Sequence, residues 1–209
     1  MEAFFSIALE QWQQQSMAEI CAVVFSIAYV WLAAEESILC WPAALISTIL
    51  FAYVFWDVSL FFQMLLNMYY VMMAIIGFLH WRKAKEDFNA LHMPLSLHLI
   101  VLGGGISLTL VTVFLAQSIA LQWFAYDLLV LDAGITMFSL LTTYLTVKKY
   151  LQSWMYWSII NALSIYLFAS NELYFTVILM LILILLALRG YINWSQDMLI
   201  HREYDTSNR

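Results

Sequence analysis

Residues 153–168 read SWMYWSIINALSIYLF, an apolar stretch that carries two tryptophans and one asparagine. Trp154, Trp157 and Asn161 stand at positions i, i+3 and i+7, so a helix places all three on one face. Polar side chains facing lipid are costly, so in membrane helices they turn toward the protein interior or a water-filled cavity. The spacing therefore predicts a membrane-crossing helix with an interior face made of two indoles and an amide.

The composition of the whole chain also indicates a membrane protein. Of its 209 residues, 65% are hydrophobic and 11% are charged, and the mean hydropathy is +0.85. A soluble domain of this size cannot hide so much apolar surface. We expect an all-α polytopic protein whose seven apolar runs have the length of transmembrane helices. They cover residues 19–34, 39–56, 59–80, 95–115, 127–147, 153–169 and 172–194.

The basic residues predict the orientation in the membrane. With seven spans, all eight Lys and Arg residues fall on one side of the bilayer. Basic residues are retained on the cytoplasmic side during insertion, so the N-terminus is expected outside and the C-terminus in the cytoplasm.

The sequence matches itself when it is shifted by 113 residues. Between residues 19–81 and 132–194 we count 14 identities in 63 positions, among them Trp and Gly landmarks that shared hydrophobicity does not explain. Equivalent helices lie four spans apart, an even number, so both repeats are expected to cross in the same direction, as in the SWEET proteins. In such 3+1+3 designs the substrate site lies between the repeats. The matched landmarks are Trp41/Trp154, Gly77/Gly190 and Trp81/Trp194.

This pattern predicts five segments along the chain. Residues 1–18 form an N-terminal segment that either lies at the membrane interface or frays. The first three-helix repeat covers 19–81 and the second covers 127–194. Between them, residues 82–126 form a cytoplasmic loop and a linker helix, and residues 195–209 form a cytoplasmic tail.

Two further polar stripes are expected to face the same cavity. Gln63, Asn67 and Tyr70 follow i, i+4 and i+7 on the third span. Each stripe has a structural alternative: Ser and Thr bond to their own helix, amides cross-link helices, and Trp154 suits an interfacial belt. The stripe on the fifth span contains Asp132, Thr136, Ser139 and Thr143.

No pattern typical of catalysis competes with this interpretation. The four histidines are scattered, Cys21 and Cys40 lack a metal-binding or redox spacing, and no phosphate-binding glycine loop occurs. We therefore expect no enzymatic activity, no cofactor, no metal site and no nucleic-acid partner. Two indole faces above an amide suit a flat heteroaromatic ligand or an organic cation.

Three stretches resemble the Pnu family of bacterial vitamin transporters. They are CWPAALIST at 40–48, FWDVSLFFQMLLNMYYVMMAIIGFLHW at 55–81, and WMYWSIIN at 154–161, which fits the family pattern W-x-x-W-x-x-x-N. The resemblance covers roughly residues 19–194. It implies a homotrimer in the bacterial inner membrane and uptake by facilitated diffusion, with trapping by intracellular phosphorylation. It also implies a substrate site lined by Trp154, Trp157, Asn161, Gln63, Asn67 and Tyr70.

Four departures from the family bear on the substrate. Compared with the nicotinamide riboside branch, this chain carries Asn67 in place of Gln, Ala74 in place of Asn, Ile76 in place of Tyr and Met180 in place of Tyr. Because this chain lacks those hydrogen-bonding residues but keeps the indoles, the pattern favours another flat vitamin, thiamine, whose thiazolium cation suits indole faces. Thiamine is thus the expected substrate and nicotinamide riboside the alternative. A substrate-capture subunit that needs a separate ATPase module is a further alternative.

Overall fold

The computed structural model describes residues 16–57, 61–83, 90–118, 126–170 and 174–207. Besides one isolated β-bridge between Leu91 and Tyr150, these residues form helices and short connections, which confirms the all-α class. Residues 1–15 of the expected interfacial segment lie outside the described residues. The helices are α1 (Met17–Ala34), α2 (Cys40–Asp57), α3 (Phe61–Lys83), α4 (Leu95–Ser118), α5 (Tyr126–Val147), α6 (Ser153–Ser170) and α7 (Tyr174–Ser207).

The ends of α1 and α7 follow from local chemistry. α1 starts with a capping box: Glu19 N donates to Ser16 Oγ over 3.2 Å, and Ser16 N donates to Glu19 Oε2 over 2.6 Å. α7 has 34 residues and is therefore about 51 Å long, well beyond a hydrocarbon core of about 30 Å. The segment expected as a cytoplasmic tail is helical as far as Ser207, and it continues the last span beyond the membrane.

The helices have the lengths of membrane spans. Five of them contain segments that are long and apolar enough to cross a bilayer by themselves, and α2 is apolar over a shorter stretch, Cys40–Val54. α2 and α6 have 18 residues each, about 27 Å, so their ends lie close to the membrane surfaces. The five segments are Met17–Ala34, Met64–Lys83, Leu95–Ser118, Leu128–Val147 and Thr176–Leu199.

The helices form two three-helix units and one additional helix. In the first unit α2 packs against both α1 and α3, and in the second unit α6 packs against both α5 and α7. The units meet through two helix pairs, α1 with α7 and α3 with α5. α4 connects the units along the chain and packs on α5. The comparison with SWEET proteins and the exact segment boundaries stay predictions.

The same turn joins the first two helices of each unit. Glu36 and Lys149 occupy equivalent places 113 residues apart, with φ angles of 59° and 61°, in the left-handed region that non-glycine residues rarely adopt. The backbone hydrogen bonds around them match one for one. They are Glu35 N to Trp31 O, Glu36 N to Ala33 O and Ser37 N to Leu32 O in the first turn, and Lys148 N to Tyr144 O, Lys149 N to Thr146 O and Tyr150 N to Leu145 O in the second.

Four buried tryptophans, which we call the tryptophan row, connect the two units. Trp41 meets Trp81 edge to face, with ring centroids 5.2 Å apart, and Trp154 meets Trp194 in the same way, also at 5.2 Å. Trp81 and Trp194 then touch each other at 5.9 Å across the two units. Such edge-to-face pairs are favoured by the ring quadrupoles.

Hydrogen bonds from the row reach across to the opposite unit. The Trp81 indole N–H donates to Val147 O at 3.1 Å, and the Trp194 indole N–H donates to Ala33 O at 3.0 Å. Each acceptor lies at the end of the first helix of the other unit. The two units are therefore held together at the end of the molecule that carries the two turns.

A glycine makes room for the first tryptophan of each pair. A Cβ atom added at Gly77 would lie well inside contact distance of the Trp41 ring, and one added at Gly190 would meet the Trp154 ring at 2.6 Å. Around Gly103 on α4, by contrast, no heavy atom lies within 4 Å of such a Cβ.

We expect Gly77→Ala and Gly190→Ala each to destabilise the protein by about 1–3 kcal/mol, because the added methyl overpacks an indole that cannot retreat. Thermal unfolding of the purified protein in detergent measures the effect, with Gly103→Ala as the matched control. Equal melting temperatures for all three variants would contradict the packing described here.

Charged side chains surround the two turns. Arg189 Nη2 forms an ion pair with Glu35 Oε1 at 2.5 Å, and the Lys149 ammonium lies 5.4 Å from the centre of the Trp81 ring. Burial, with the Asp197 charge adding to it, raises the pKa of Glu36 to about 7, although Lys149 acts in the opposite direction. Burial also lowers the pKa of Lys149, against the attraction of Glu36 and Asp197.

The raised pKa of Glu36 predicts a pH-dependent stability. Between pH 4.5 and 7 the folded protein binds a proton at Glu36 that the unfolded chain does not, so this contribution to stability is lost as the pH rises through 7. Glu36→Gln removes the buried carboxylate and should raise the melting temperature at pH 8 by about 1–3 °C more than at pH 5. The same shift at both pH values would show that Glu36 does not titrate in this range.

Candidate functional site

The structure brings the predicted stripes together around α5. Near the middle of α5, the Tyr70 hydroxyl of α3 lies close to Ser139. Two turns further along the same face of α5, the Trp157 indole N–H of α6 donates to Thr146 Oγ1 at 3.1 Å. Ser139 and Thr146 are seven residues apart on α5, or about 10 Å along its axis. α5 therefore joins the third-helix stripe to the sixth-helix stripe.

The hydroxyls of α5 are also bonded to their own helix. Ser139 donates to Ile135 O at 2.7 Å, and Thr143 donates to Ser139 O at 2.8 Å. This is the structural role that the sequence left open for this stripe. A hydroxyl whose proton is used in this way still has oxygen lone pairs that accept from another donor.

Two buried amides lie on the facing helices. Asn161 of α6 is 7% exposed and Asn67 of α3 is 6% exposed. The Asn161 side chain makes no hydrogen bond with another residue in the described part of the chain. The donor and the acceptor of this amide are therefore available to a polar ligand. The side chain of Gln63, the remaining predicted residue, lies outside the described side chains.

Trp154 has a different environment from Trp157, although both belong to the predicted face. Trp154 is 2% exposed and packs over Gly190 and against Trp194, as Trp41 packs over Gly77 and against Trp81. Within the described residues, neither Trp41 nor Trp154 has an acceptor for its indole N–H. A contribution of Trp154 to a substrate site stays a prediction, whereas its packing role is visible.

Comparison with the first unit shows which residues of the second unit the fold does not require. Where the second unit carries Trp157 and Asn161, the equivalent positions of the first unit carry Ala44 and Thr48. Thr48 donates to the carbonyl of Ala44 in its own helix at 2.8 Å. Both units fold into three helices joined by the same turn, so the Trp and Asn are not required by the fold. Likewise Asn67 and Tyr70 correspond to Met180 and Leu183.

The departures that favoured thiamine are not all at the site. Ala74 is 2% exposed and lies seven residues from Asn67, on the same helix face. Ile76 is 51% exposed and lies nine residues from Asn67, about half a turn around the helix. A difference at Ile76 is therefore on the side of α3 that points away from Asn67, and it does not change the polar face.

Two residues that the sequence analysis missed take part in this arrangement. Tyr69 donates to Leu140 O on α5 at 3.0 Å, which links the two units near the middle of the helices. Thr146 accepts from Trp157. Tyr69 continues no polar stripe that was singled out, whereas Thr146 is the next position, i+14, of the fifth-span stripe that was listed only as far as Thr143. The comparison of the two units does mark Thr146, because its equivalent is Ala33.

An apolar groove lies elsewhere. It has a volume of about 600 Å³ and opens to the outside between α4, α5 and α6. Its lining is almost entirely apolar, so it lacks the converging polar groups that fix the orientation of a vitamin. Its walls include Leu102, Ile106, Val130, Phe138, Ile159 and Leu163.

Apolar helices that cross the membrane repeatedly, with buried polar groups gathered where two units meet, are typical of helical transport proteins. A family model described as "Nicotinamide mononucleotide transporter" matches residues 16–196 of the chain. The chain therefore belongs to this family, which is one of membrane transporters and not of enzymes.

Two curated relatives are both called "Nicotinamide riboside transporter PnuC". The protein of Neisseria mucosa is 27% identical over 170 residues, covering 73% of this chain and 62% of the relative's own length. The protein of Escherichia coli K12 is 25% identical over 203 residues, covering 86% of this chain and 85% of the relative. Neither relative is described as a thiamine transporter, so the preference for thiamine has no support from them.

A solved structure has the same fold. The protein is described as the vitamin B3 transporter PnuC, and the TM-score is 0.74 over 95% of this chain and 90% of that one, at 24% identity. At this identity the likeness shows the arrangement of helices.

We expect Trp154→Ala and Trp41→Ala to destabilise the protein by similar amounts, about 3–5 kcal/mol, because each leaves a cavity over its glycine. Trp157→Ala should cost less, because the equivalent position of the other unit is already an alanine. Melting temperatures of the three variants in detergent test the order. A wild-type melting temperature for Trp154→Ala would contradict its packing role.

Proposed function

We propose that this chain is a membrane transporter that takes up nicotinamide riboside by facilitated diffusion, with trapping by phosphorylation inside the cell. The observation that carries the proposal is the match of residues 16–196 to the transporter family described as "Nicotinamide mononucleotide transporter". The names of the curated relatives support the riboside as the substrate.

The geometry around α5 supports a ligand of this kind. The contacts Trp157–Thr146 and Tyr70–Ser139 are about 10 Å apart along the helix, comparable to the length of a nucleoside. An indole face attracts the cationic pyridinium ring of nicotinamide riboside. The Asn161 amide offers both a donor and an acceptor, as does the carboxamide of the ligand, so the two groups are complementary.

The charges support a nucleoside in preference to a nucleotide. A phosphate monoester needs Arg or Lys partners in a site shielded from water. The described residues of the polar face around α5 include no Arg or Lys: Asn67, Tyr70, Ser139 and Asn161 are neutral, and Asp132 is acidic. Basic residues are gathered at the end of the molecule that carries the two turns: Arg82, Lys83, Lys148, Lys149 and Arg189, with Arg202 further along α7.

The same charges support the proposed orientation. Basic residues gathered at one end of a helical bundle favour a cytoplasmic location for that end. The proposal therefore places the two turns inside the cell and the N-terminus outside, in the bacterial inner membrane. The homotrimer implied by the family resemblance belongs to the proposal as well, and light scattering of the purified protein in detergent measures its mass.

Calorimetric titration of the detergent-purified protein tests the substrate. We expect saturable binding of nicotinamide riboside and at least tenfold weaker binding of both nicotinamide mononucleotide and thiamine. Asn161→Ala should weaken riboside binding about tenfold or more, because the buried amide loses its hydrogen bonds to the ligand. Thr48→Ala, at the equivalent position of the first unit, is the control that should bind like the wild type. Preferential binding of thiamine or of the nucleotide would overturn the proposed substrate.

Proteoliposomes test the mechanism. Labelled riboside should equilibrate across the membrane without ATP or an ion gradient, and it should accumulate only when a nucleoside kinase and ATP are enclosed. A protein that binds the riboside but does not move it without a partner would instead be a capture subunit of a larger assembly.

A further inference from the structure

A buried threonine holds the indole of Trp157. The indole N–H donates to Thr146 Oγ1 at 3.1 Å, and Thr146 Oγ1 donates to Thr142 O at 3.0 Å. The hydroxyl proton is therefore directed at the backbone of α5, and the oxygen lone pair is directed at the indole. Thr146 is 1% exposed, so water does not compete for this oxygen.

The first unit shows that the fold does not need this contact. Thr146 and Trp157 correspond to Ala33 and Ala44, which are 1% and 6% exposed. The first unit has the same turn between its first two helices with two buried alanines in these places. The hydrogen-bonded pair is an addition that the second unit alone carries.

The pair lies beside the amide assigned to the substrate. Trp157 and Asn161 are four residues apart on α6, on one helix face. The indole is only partly buried, whereas Thr146 is fully buried behind it. A tryptophan has two side-chain torsions, and a bond from its N–H to a fixed acceptor defines which way the ring face points.

We propose that Thr146 is a positioning residue for substrate recognition, whose hydroxyl oxygen fixes the Trp157 indole in the orientation that stacks on the ring of a nucleoside. The inference rests on the proposed function, because it names a contribution to the same site. Thr146 acts through Trp157 and does not itself touch the substrate.

The experiment is a double-mutant cycle with calorimetric titration of nicotinamide riboside. Thr146→Val keeps the shape of the side chain and removes the acceptor, and it should weaken binding about tenfold. Thr146→Ser keeps the acceptor and should bind within about twofold of the wild type. In a Trp157→Phe background, which lacks the N–H, Thr146→Val should cause no further loss.

Two controls keep the test informative. Thr146→Ala introduces the residue that the first unit has at this place, and it replaces Thr146→Val in the cycle if that variant does not fold. Ser158→Ala removes a nearby hydroxyl that bonds to Trp154 O in its own helix at 2.9 Å, and it should leave the affinity unchanged.

Wild-type affinity in Thr146→Val, or an additional loss in the Trp157→Phe background, would overturn the inference. If the wild type binds no riboside, the proposed function fails and the positioning role is tested without ligand. In that case the fluorine resonance of 5-fluorotryptophan at position 157, assigned with Trp157→Phe, should shift in Thr146→Val and stay in place in Thr146→Ser. An unchanged resonance in Thr146→Val would overturn the inference in the absence of any ligand.

Discussion

The packing of an indole ring over a bare glycine backbone is the contact on which the two units depend. Trp41 over Gly77 and Trp154 over Gly190 bring the second and third helices of each unit to a separation that no side chain would permit. Each ring then meets a second tryptophan, and those two meet each other between the units. In a membrane, where helices gain little from burying apolar surface, such close packing supplies much of the attraction between them.

Features that occur in both units belong to the shared fold, whereas features that occur in only one unit are candidates for binding a substrate. The tryptophan row and the turn are present twice, and they hold the helices in place. The Asn161 amide and the threonine-bonded indole occur in the second unit, where the first has threonine and alanine, and Asn67 and Tyr70 occur in the first unit, where the second has methionine and leucine. A ligand between the units would therefore meet two different walls, with Asn67 and Tyr70 on one and Trp157 and Asn161 on the other.

The sequence predicted the helices well because hydropathy and membrane thickness constrain them directly. The second run was expected at 39–56 and forms Cys40–Asp57, whereas the last was expected to end at 194 and continues to Ser207. Hydropathy detects only the part of a helix that lies in lipid, so the polar extension was not seen. The role of Trp154 was harder to predict, because helical spacing does not reveal that Gly190, far along the chain, leaves a space for its ring. Its identity with Trp41 was the available signal, since a residue repeated in both units serves the shared fold.

The equivalent turns carry an acid, Glu36, in one and a base, Lys149, in the other, and where the units meet the attraction between them partly offsets the cost of burying each. A symmetric dimer of identical three-helix chains would put the same side chain at both places, so that like charges would repel near its axis. Joining the halves in one polypeptide removes that restriction, and each half can then complement the other. A dimer made of two copies of either unit would bring like charges together at the two turns, although each copy would keep its three helices.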